Sequence, residues 1–161
     1  MTDARTEKTF FVVAIPFFAA AAAAAASGSL FPADGPWYQS LTAPAFRPPS
    51  WIFGPVWTVL YVLIALAGAR LARHLGGPRG GLAVGLWSLQ MVLNALWTPA
   101  FFGARDLFAA LVVVLLLGAT IAVLIALSWR LERLAALLLL PYLGWVTFAA
   151  VLNAAYWWLN P

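Results

Sequence analysis

The sequence predicts an all-α membrane protein, a bundle of five transmembrane helices with a long first loop that forms a lid. Three observations lead to this prediction. Of the 161 residues, 65% are hydrophobic and only 9% are charged, whereas a soluble domain carries about 25% charged residues. Five apolar stretches are long enough to cross about 30 Å of hydrocarbon. The connection between the first two stretches is long and rich in proline and aromatic residues.

The first apolar stretch, residues 10–26, contains Pro16 and ends in an unbroken alanine run. Its position at the start of the chain, behind Arg5 and Lys8, also fits a cleaved signal peptide. We favour a membrane helix, since small residues allow membrane helices to approach each other closely.

The connection from Ser27 to Ser50 is the only long one. From Trp37 to Tyr61 the chain reads WYQSLTAPAFRPPSWIFGPVWTVLY. Proline fixes φ and removes a backbone donor, so the part before Trp51 cannot be one continuous helix. A stiff aromatic loop with almost no charge fits a lid over an apolar site better than a solvated connector.

The remaining spans are predicted at residues 51–71, 80–102, 107–129 and 134–159. Because the links between these spans are short, sequential helices should lie side by side and antiparallel. Asp106 is placed to cap the fourth span, where its carboxylate can accept from free N–H groups. The prediction is a single domain over residues 1–161.

The basic residues predict the orientation of the bundle. Seven fall on one side and two on the other: Arg5, Lys8, Arg70, Arg73, Arg79, Arg130 and Arg133 against Arg47 and Arg105. Basic residues favour the cytoplasmic side. The N-terminus is therefore predicted to be cytoplasmic, in a bacterial-type membrane, with the long loop outside.

The polar residues exclude several classes of function. There is no cysteine and only one histidine, and the five acidic residues all lie outside the spans, at Asp3, Glu7, Asp34, Asp106 and Glu132. Proton-coupled transporters usually need buried ionisable groups, and acid–base catalysis and metal sites need clustered ones. The basic residues form no dense run, so nucleic acid is not an expected partner.

The third span carries two kinds of face. Trp87, Gln90, Asn94 and Trp97 fall within one arc of about 80°. An unpaired amide in an apolar medium costs about 1–3 kcal/mol, so Gln90 and Asn94 should have partners, either across the bundle or in the wall of a pocket. Both alternatives stay open on this helix alone.

The other face of the third span carries three glycines at intervals of four, Gly77, Gly81 and Gly85. Small residues at that period let two helix backbones come close. This face is predicted to pack against another helix, either in a second subunit or within the same chain.

Tryptophans at the ends of membrane spans usually lie at the bilayer interface, and this explains Trp129, Trp157 and Trp158. It does not explain Trp57 and Trp145, because both lie several residues inside their spans. These two are the better candidates for a pocket.

Three blocks carry a family resemblance: the stretch from Trp37 to Tyr61, QMVLNALWTPAFFGAR (Gln90 to Arg105) and PYLGWVTFAAVLN (Pro141 to Asn153). Together they cover about 54 of the 161 residues. In order and spacing they resemble the family of tryptophan-rich sensory proteins and translocator proteins (TspO), which includes the peripheral-type benzodiazepine receptor. The five spans agree with that family's five-helix fold.

The resemblance implies a membrane protein, often a homodimer, that binds porphyrins such as protoporphyrin IX or haem under the first loop. It also implies binding of isoquinoline-type and benzodiazepine-type ligands, and it implies no obligatory cofactor. Trp57 and Trp145 match the family's porphyrin-facing tryptophans. Matched position by position, the implied ligand-binding residues are Tyr38, Phe46, Trp57, Asn94, Trp97, Trp145 and Asn153.

Some family members bind sterols, but the family's sterol pattern needs a basic residue after a tyrosine in the fifth span. Only Trp157, Trp158, Leu159, Asn160 and Pro161 follow Tyr156, so sterol is a weaker expectation. The leading hypothesis is a tetrapyrrole-binding protein with a sensory, regulatory or transport role. Two alternatives stay open: an enzyme that degrades porphyrin in light, with Trp57 and Trp145 as participants, and a small permease for apolar cargo.

Overall fold

The computed structural model describes residues 3–31 and 35–161, with side chains described from Val12 onwards apart from that of Ser29. Within these ranges every regular element is helical, which confirms the all-α prediction. In chain order the helices are α1 (Asp3–Ser29), α2 (Pro36–Ser40), α3 (Phe53–Ala72), α4 (Pro78–Thr98), α5 (Leu107–Leu131) and α6 (Arg133–Leu159). A short 3₁₀ turn, Ser50–Ile52, leads into α3, and a π-helical turn, Pro99–Gly103, follows α4.

Among the described residues, four helical segments are long and apolar enough to cross a membrane: Ser50–Ala72, Pro78–Gly103, Leu107–Leu131 and Arg133–Leu159. The apolar part described in α1, Val12–Gly28, is shorter. The five-span count and the lid therefore stay predictions. The side chains of Arg5 and Lys8, and the whole of Asp34, lie outside the described residues.

In the bundle α3 packs against α1, α4 and α6, α4 also packs against α1 and α5, and α5 packs against α6. The helices α1, α3 and α4 meet at Gly68, where a Cβ atom would overlap the rings of Phe17 and Trp87. The indole of Trp87 donates to the carbonyl of Ile64, at 2.8 Å. The absence of a side chain at Gly68 thus allows Phe17 from α1 and Trp87 from α4 to pack directly against the backbone of α3.

The two ends of the bundle are fixed by polar contacts. At one end Glu132, between α5 and α6, accepts from the guanidinium of Arg70 at 3.1 Å and lies 3.4 Å from the imidazole of His74. At the other end the carboxylate of Asp106 accepts from the backbone N–H groups of residues 108 and 109. The expected cap of this helix is therefore confirmed.

Candidate ligand-binding cavity

A cavity of about 620 Å³ lies in the half of the bundle that carries the long loop. Its volume falls within the range of small-molecule sites, about 300–1,000 Å³. All six helices contribute to its wall, and its lining is mainly aromatic and aliphatic. Among the described residues that line it there is no acidic and no basic side chain. The aromatic members of the lining are Phe18, Phe31, Tyr38, Phe53, Trp57, Tyr61, Trp97, Phe101, Phe102, Trp145, Phe148 and Tyr156.

The structure brings six of the seven residues named from the sequence to the wall of this cavity: Tyr38, Trp57, Asn94, Trp97, Trp145 and Asn153. The seventh, Phe46, does not line it. The residue is 49% exposed, and its ring lies edge-on to Phe148, with 6.5 Å between the ring centroids. Phe46 thus covers a lining residue from outside.

The two tryptophans named from the sequence sit in separate aromatic groups. Trp57 lies 5.2 Å from Tyr61 and 6.3 Å from Tyr142, measured between ring centroids. Trp145 lies 5.5 Å from Phe148 and 5.9 Å from Phe53. Tilted and edge-on pairs of this kind are favourable beyond the area they bury. Each indole is therefore held by its neighbours before any ligand arrives.

A chain of hydrogen bonds runs from the cavity wall into the core. The hydroxyl of Tyr61 donates to Asn94 Oδ1 at 2.8 Å, and Asn94 Nδ2 donates to the hydroxyl of Tyr142 at 2.9 Å. That hydroxyl donates to Gln90 Oε1 at 3.0 Å. Tyr61 and Asn94 line the cavity, whereas Tyr142 and Gln90 are fully buried behind them. Within the described part of the chain, Gln90 Nε2 has no partner.

The expectation that the amides of α4 have partners is thus confirmed for both polar atoms of Asn94 and for the oxygen of Gln90, and the pairing crosses the bundle from α4 to α3 and α6. The sequence left two interpretations open, a contact across the bundle and a place in the wall of a pocket, and each describes one of these two amides. Gln90 connects helices, and Asn94 does so while also presenting a polar group to the cavity.

A second polar contact fixes the loop-side end of the wall. The indole of Trp97 donates to Asn153 Oδ1 at 3.1 Å, and Asn153 Nδ2 donates to the carbonyl of Leu107 at 2.8 Å. Trp97 Nε1 and Asn153 Nδ2 thus each have an acceptor. Trp97 is therefore anchored edge-on by α6, and one amide joins α4, α5 and α6.

The loop reaches the cavity through Tyr38 on α2. Its hydroxyl accepts from that of Tyr156 at 2.9 Å, and burial raises the pKa of Tyr38 well above its ordinary value, against the opposing charge of Arg47. Further along, the backbone of Thr42 exchanges two hydrogen bonds with the amide of Asn160, at 2.8 and 3.1 Å. The loop is thus attached to the end of α6 at two levels.

The cavity is open to one side, between α1 and α3. Six residues both line it and are exposed: Phe18, Ala22 and Ala25 from α1, and Gly54, Thr58 and Val62 from α3. The hydroxyl of Thr58 donates to the carbonyl of Gly54 at 2.9 Å, so its polar group is satisfied within its own helix. The borders of this opening are therefore suited to contact with lipid.

The three glycines Gly77, Gly81 and Gly85, at and after the start of α4, do not share one environment. Gly77 caps the helix, and a Cβ there would meet only the carbonyl of His74. Gly81 and Gly85 are exposed, and a Cβ at either would meet no described atom within 4 Å. Within the described chain no other helix packs closely against these two positions.

Sequence reasoning did not pair Tyr61 and Tyr142 with Asn94, and it did not find the opening between α1 and α3. The signal for the tyrosines was present, because Tyr61 lies one turn from Trp57 and Tyr142 lies on the same side of α6 as Trp145. For the opening, the intervals of four among Gly54, Thr58 and Val62 mark one face of α3. Nothing in the pattern shows that α1 leaves this face uncovered.

The arrangement can bind but offers little for acid–base chemistry. The described residues contain no cluster of three His, Cys, Asp or Glu side chains that could hold a metal ion. The polar atoms at the wall are amides, indole N–H groups and phenols, and these orient a ligand by hydrogen bonds. The aromatic rings supply the apolar contact area.

Comparison with known proteins gives consistent results. A model of the TspO/MBR family matches residues 12–159. The chain is 37% identical over 146 residues to Protein CrtK of Rhodobacter capsulatus, covering 90% of this chain and 91% of that protein. It is 38% identical over 139 residues to the tryptophan-rich sensory protein of Cereibacter sphaeroides, covering 86% and 85%. It is 38% identical over 123 residues to the human translocator protein, covering 75% and 73%.

Proposed function

The chain belongs to the TspO/MBR family and is a multi-pass integral membrane protein, and from this premise we propose that it binds porphyrins, such as protoporphyrin IX or haem, in the cavity. Isoquinoline-type and benzodiazepine-type compounds are further proposed ligands of the same site. The binding serves a sensory, regulatory or transport role. The observation that carries the proposal is the aromatic cavity of about 620 Å³ with Trp57, Trp97 and Trp145 in its wall.

Three features support a flat apolar ligand. The wall is aromatic on both α3 and α6, which contribute Trp57 and Trp145. Hydrogen-bonding groups are few, and Asn94 is held in place by Tyr61 and Tyr142. The wall lacks charged side chains among its described residues, so it offers no counter-ion to a small polar solute.

We propose further that the loop acts as a lid and that ligands enter from the bilayer. The contacts of Tyr38 with Tyr156 and of Thr42 with Asn160 hold the loop against the bundle. The opening between α1 and α3 faces outward, between helices. A ligand that partitions into lipid has a direct route through this opening.

The test is quenching of tryptophan fluorescence by protoporphyrin IX in purified, detergent-solubilised protein. An aromatic contact contributes about 0.5–1.5 kcal/mol beyond the area it buries, and area lost from an indole adds to that. Trp57→Ala and Trp145→Ala are therefore each expected to weaken binding by about tenfold. Trp158→Ala is the matched control, because this tryptophan is 79% exposed and does not line the cavity.

Two results would contradict the proposal. One is quenching no greater than that given by an unrelated membrane protein in the same detergent. The other is an equal loss of affinity in the Trp158→Ala control, since this would show that porphyrin associates with the outer surface.

The positions of Trp57 and Trp145 favour light-dependent degradation of porphyrin as a second candidate function. Both indoles line the cavity, so an excited pigment bound there would lie beside two readily oxidised rings. Illumination of the complex, with the porphyrin absorption followed over time, tests this. Loss of absorption at the same rate without protein would exclude it.

We also propose that the N-terminus lies in the cytoplasm, as the distribution of basic residues predicts. A further proposal is a homodimer that uses the exposed face of α4. The support for the dimer is the open space at Gly81 and Gly85, which would let a second helix approach closely. Gly85→Leu is expected to shift the molecular mass measured by light scattering from dimer to monomer. An unchanged dimer would place the interface elsewhere.

A further inference from the structure

At the end of the bundle opposite the loop, one carboxylate holds two helix connections together. Glu132 is the single residue between α5 and α6, and its Oε1 accepts from two nitrogen atoms of the Arg70 guanidinium, at 3.2 and 3.1 Å. Its Oε2 lies 3.4 Å from the imidazole of His74, in the turn that follows α3. Both oxygens of Glu132 are thus engaged, and the α5–α6 connection is fixed against the end of α3.

The turn between α3 and α4 is compact. The N–H of Gly77 donates to the carbonyl of His74 at 3.1 Å, and a Cβ atom at Gly80 would overlap that same carbonyl. The turn therefore folds directly onto the start of α4. Together with the contacts of Glu132, this gathers the two connections into one surface, residues 73–79 and 130–133, which we call the basic end.

Four exposed arginines lie at the basic end: Arg73, Arg79, Arg130 and Arg133. The ion pairs of the described chain join Glu132 to Arg70 and His74 and include none of these four. The guanidinium groups that lie over aromatic rings in the described chain belong to two arginines at the loop end. Among the described residues, the four guanidinium groups of the basic end therefore have no acidic or aromatic partner.

The depth of these arginines relative to the bilayer follows from their positions in the chain. Each lies within one residue of the end of a membrane-crossing segment. Trp129, directly before Arg130, is 46% exposed, and tryptophans at the ends of spans lie at the level of the lipid headgroups. Arginine side chains near helix ends also extend towards this level. The four guanidinium groups are therefore at the depth of lipid phosphate groups.

We propose that the basic end binds anionic phospholipids, with the guanidinium groups of its four arginines in contact with lipid phosphate. Guanidinium groups suit phosphate because their planar donors can pair with two of its oxygens, and basic clusters beside membrane helices attract anionic lipid. Basic residues also orient membrane proteins, but orientation does not require that they be gathered around one carboxylate. An acidic protein segment would meet the same charge, but the depth of the arginines favours lipid.

This binding is independent of the cavity and of its proposed ligands. The proposed orientation places the basic end at the cytoplasmic leaflet, whose surface is negatively charged. The surface and its occupant are thus complementary in charge.

The experiment measures lipid binding to the full chain by native mass spectrometry, after purification in detergent and removal of native lipid. The probes are phosphatidylglycerol, which is anionic, and phosphatidylcholine with the same acyl chains, which is zwitterionic. The measured quantity is the ratio of the dissociation constants of the two lipids for the first bound molecule. Arg73→Gln, Arg133→Gln and their combination are compared with the control Arg47→Gln. Arg47 is exposed at the loop end, and its replacement removes the same charge.

One basic residue near an anionic surface contributes about a fivefold preference. Arg73→Gln and Arg133→Gln are therefore each expected to lower the preference for phosphatidylglycerol up to about fivefold, and the combined variant should lower it further. Affinity for phosphatidylcholine should be unchanged, because neither arginine makes an ion pair in the described chain. Arg47→Gln should keep the full preference. Glycerol 3-phosphate, which has a phosphate but no acyl chain, should not displace the lipid.

Several results would overturn the inference. They are equal dissociation constants for the two lipids in the unmodified protein, a preference retained in the combined variant, and an equal loss of affinity for both lipids. The same loss of preference in Arg47→Gln, or displacement by glycerol 3-phosphate, would also overturn it. Equal dissociation constants are the result expected if the basic end binds an acidic protein segment instead. None of these results bears on porphyrin binding, which fluorescence quenching tests separately.

Discussion

Replacing Tyr142 by phenylalanine removes one oxygen atom from the centre of the bundle. That hydroxyl is fully buried and serves as acceptor for Asn94 Nδ2 and as donor to Gln90 Oε1. Since Gln90 Nε2 has no partner in the described chain, the variant leaves the whole carboxamide of Gln90 unpaired. It also leaves one N–H of Asn94 without its acceptor.

The size of the effect follows from two ranges. A buried polar group that loses its partner costs about 1–3 kcal/mol, whereas hydrogen bonds between membrane helices average about 0.6 and reach about 1.7 kcal/mol. Tyr142→Phe breaks two such bonds, and the fully buried site gives the orphaned groups no water. We therefore expect the free energy of unfolding to fall by about 2 kcal/mol.

The measurement is reversible unfolding in mixed micelles, followed by tryptophan fluorescence. A double-mutant cycle with Gln90→Met isolates the pair, because methionine keeps the length of glutamine and removes its amide. When both partners are replaced by apolar groups the loss is small. The free energy of unfolding of the double variant should therefore fall by at least about 1 kcal/mol less than the sum of the two single losses. Additivity within about 0.5 kcal/mol would refute the assignment of this hydrogen bond.

Two further predictions concern the rest of the bundle. Burial raises the pKa of Glu132, but the hydrogen bonds from Arg70 and His74 outweigh it, so that the pKa lies below its ordinary 4.5. The contribution of Glu132 to the stability of the fold is therefore complete above pH 4.5. It is lost as the pH falls through the lowered pKa. Glu132→Gln should thus lower the melting temperature at pH 7, with a difference from the unmodified protein that shrinks below pH 4.5. Gly68→Ala should cost about 1–3 kcal/mol through overlap with Phe17 and Trp87, whereas Gly144→Ala, with open space at its Cβ, should be neutral or stabilising by up to about 1 kcal/mol.

The sequence was sufficient for the four long apolar helices α3 to α6 and for the direction of the polar face of α4. Long apolar runs define helices in a membrane because every backbone polar group must be satisfied within the segment. The spacing of Gln90 and Asn94 predicts that both side chains leave the helix on one side, and in the structure both reach Tyr142. Asp106 was recognisable as a cap because it directly precedes an apolar run.

The sequence was insufficient wherever the answer depends on a neighbouring helix. Periodicity gives the face of a helix and not its partner, so it does not show that Tyr61 from α3 and Tyr142 from α6 meet at one amide. Phe46 illustrates the same limit in the loop. It follows the family pattern, but it lies in a turn closed by a hydrogen bond from the N–H of Arg47 to the carbonyl of Pro44, and this turn places its ring outside the cavity wall, against Phe148. The open face of α3 depends on how α1 crosses it.

The chemistry of the cavity determines how much a single polar contact matters. A flat ligand that buries about 300 Å² of apolar surface gains about 7–8 kcal/mol, and association costs at least about 4 kcal/mol of lost translational and rotational freedom. The surplus from apolar contact is then only a few kcal/mol. A single hydrogen bond of about 1 kcal/mol is a considerable fraction of that surplus, so one polar group of the wall can have a measurable influence on which ligand is retained even though the rings supply most of the attraction.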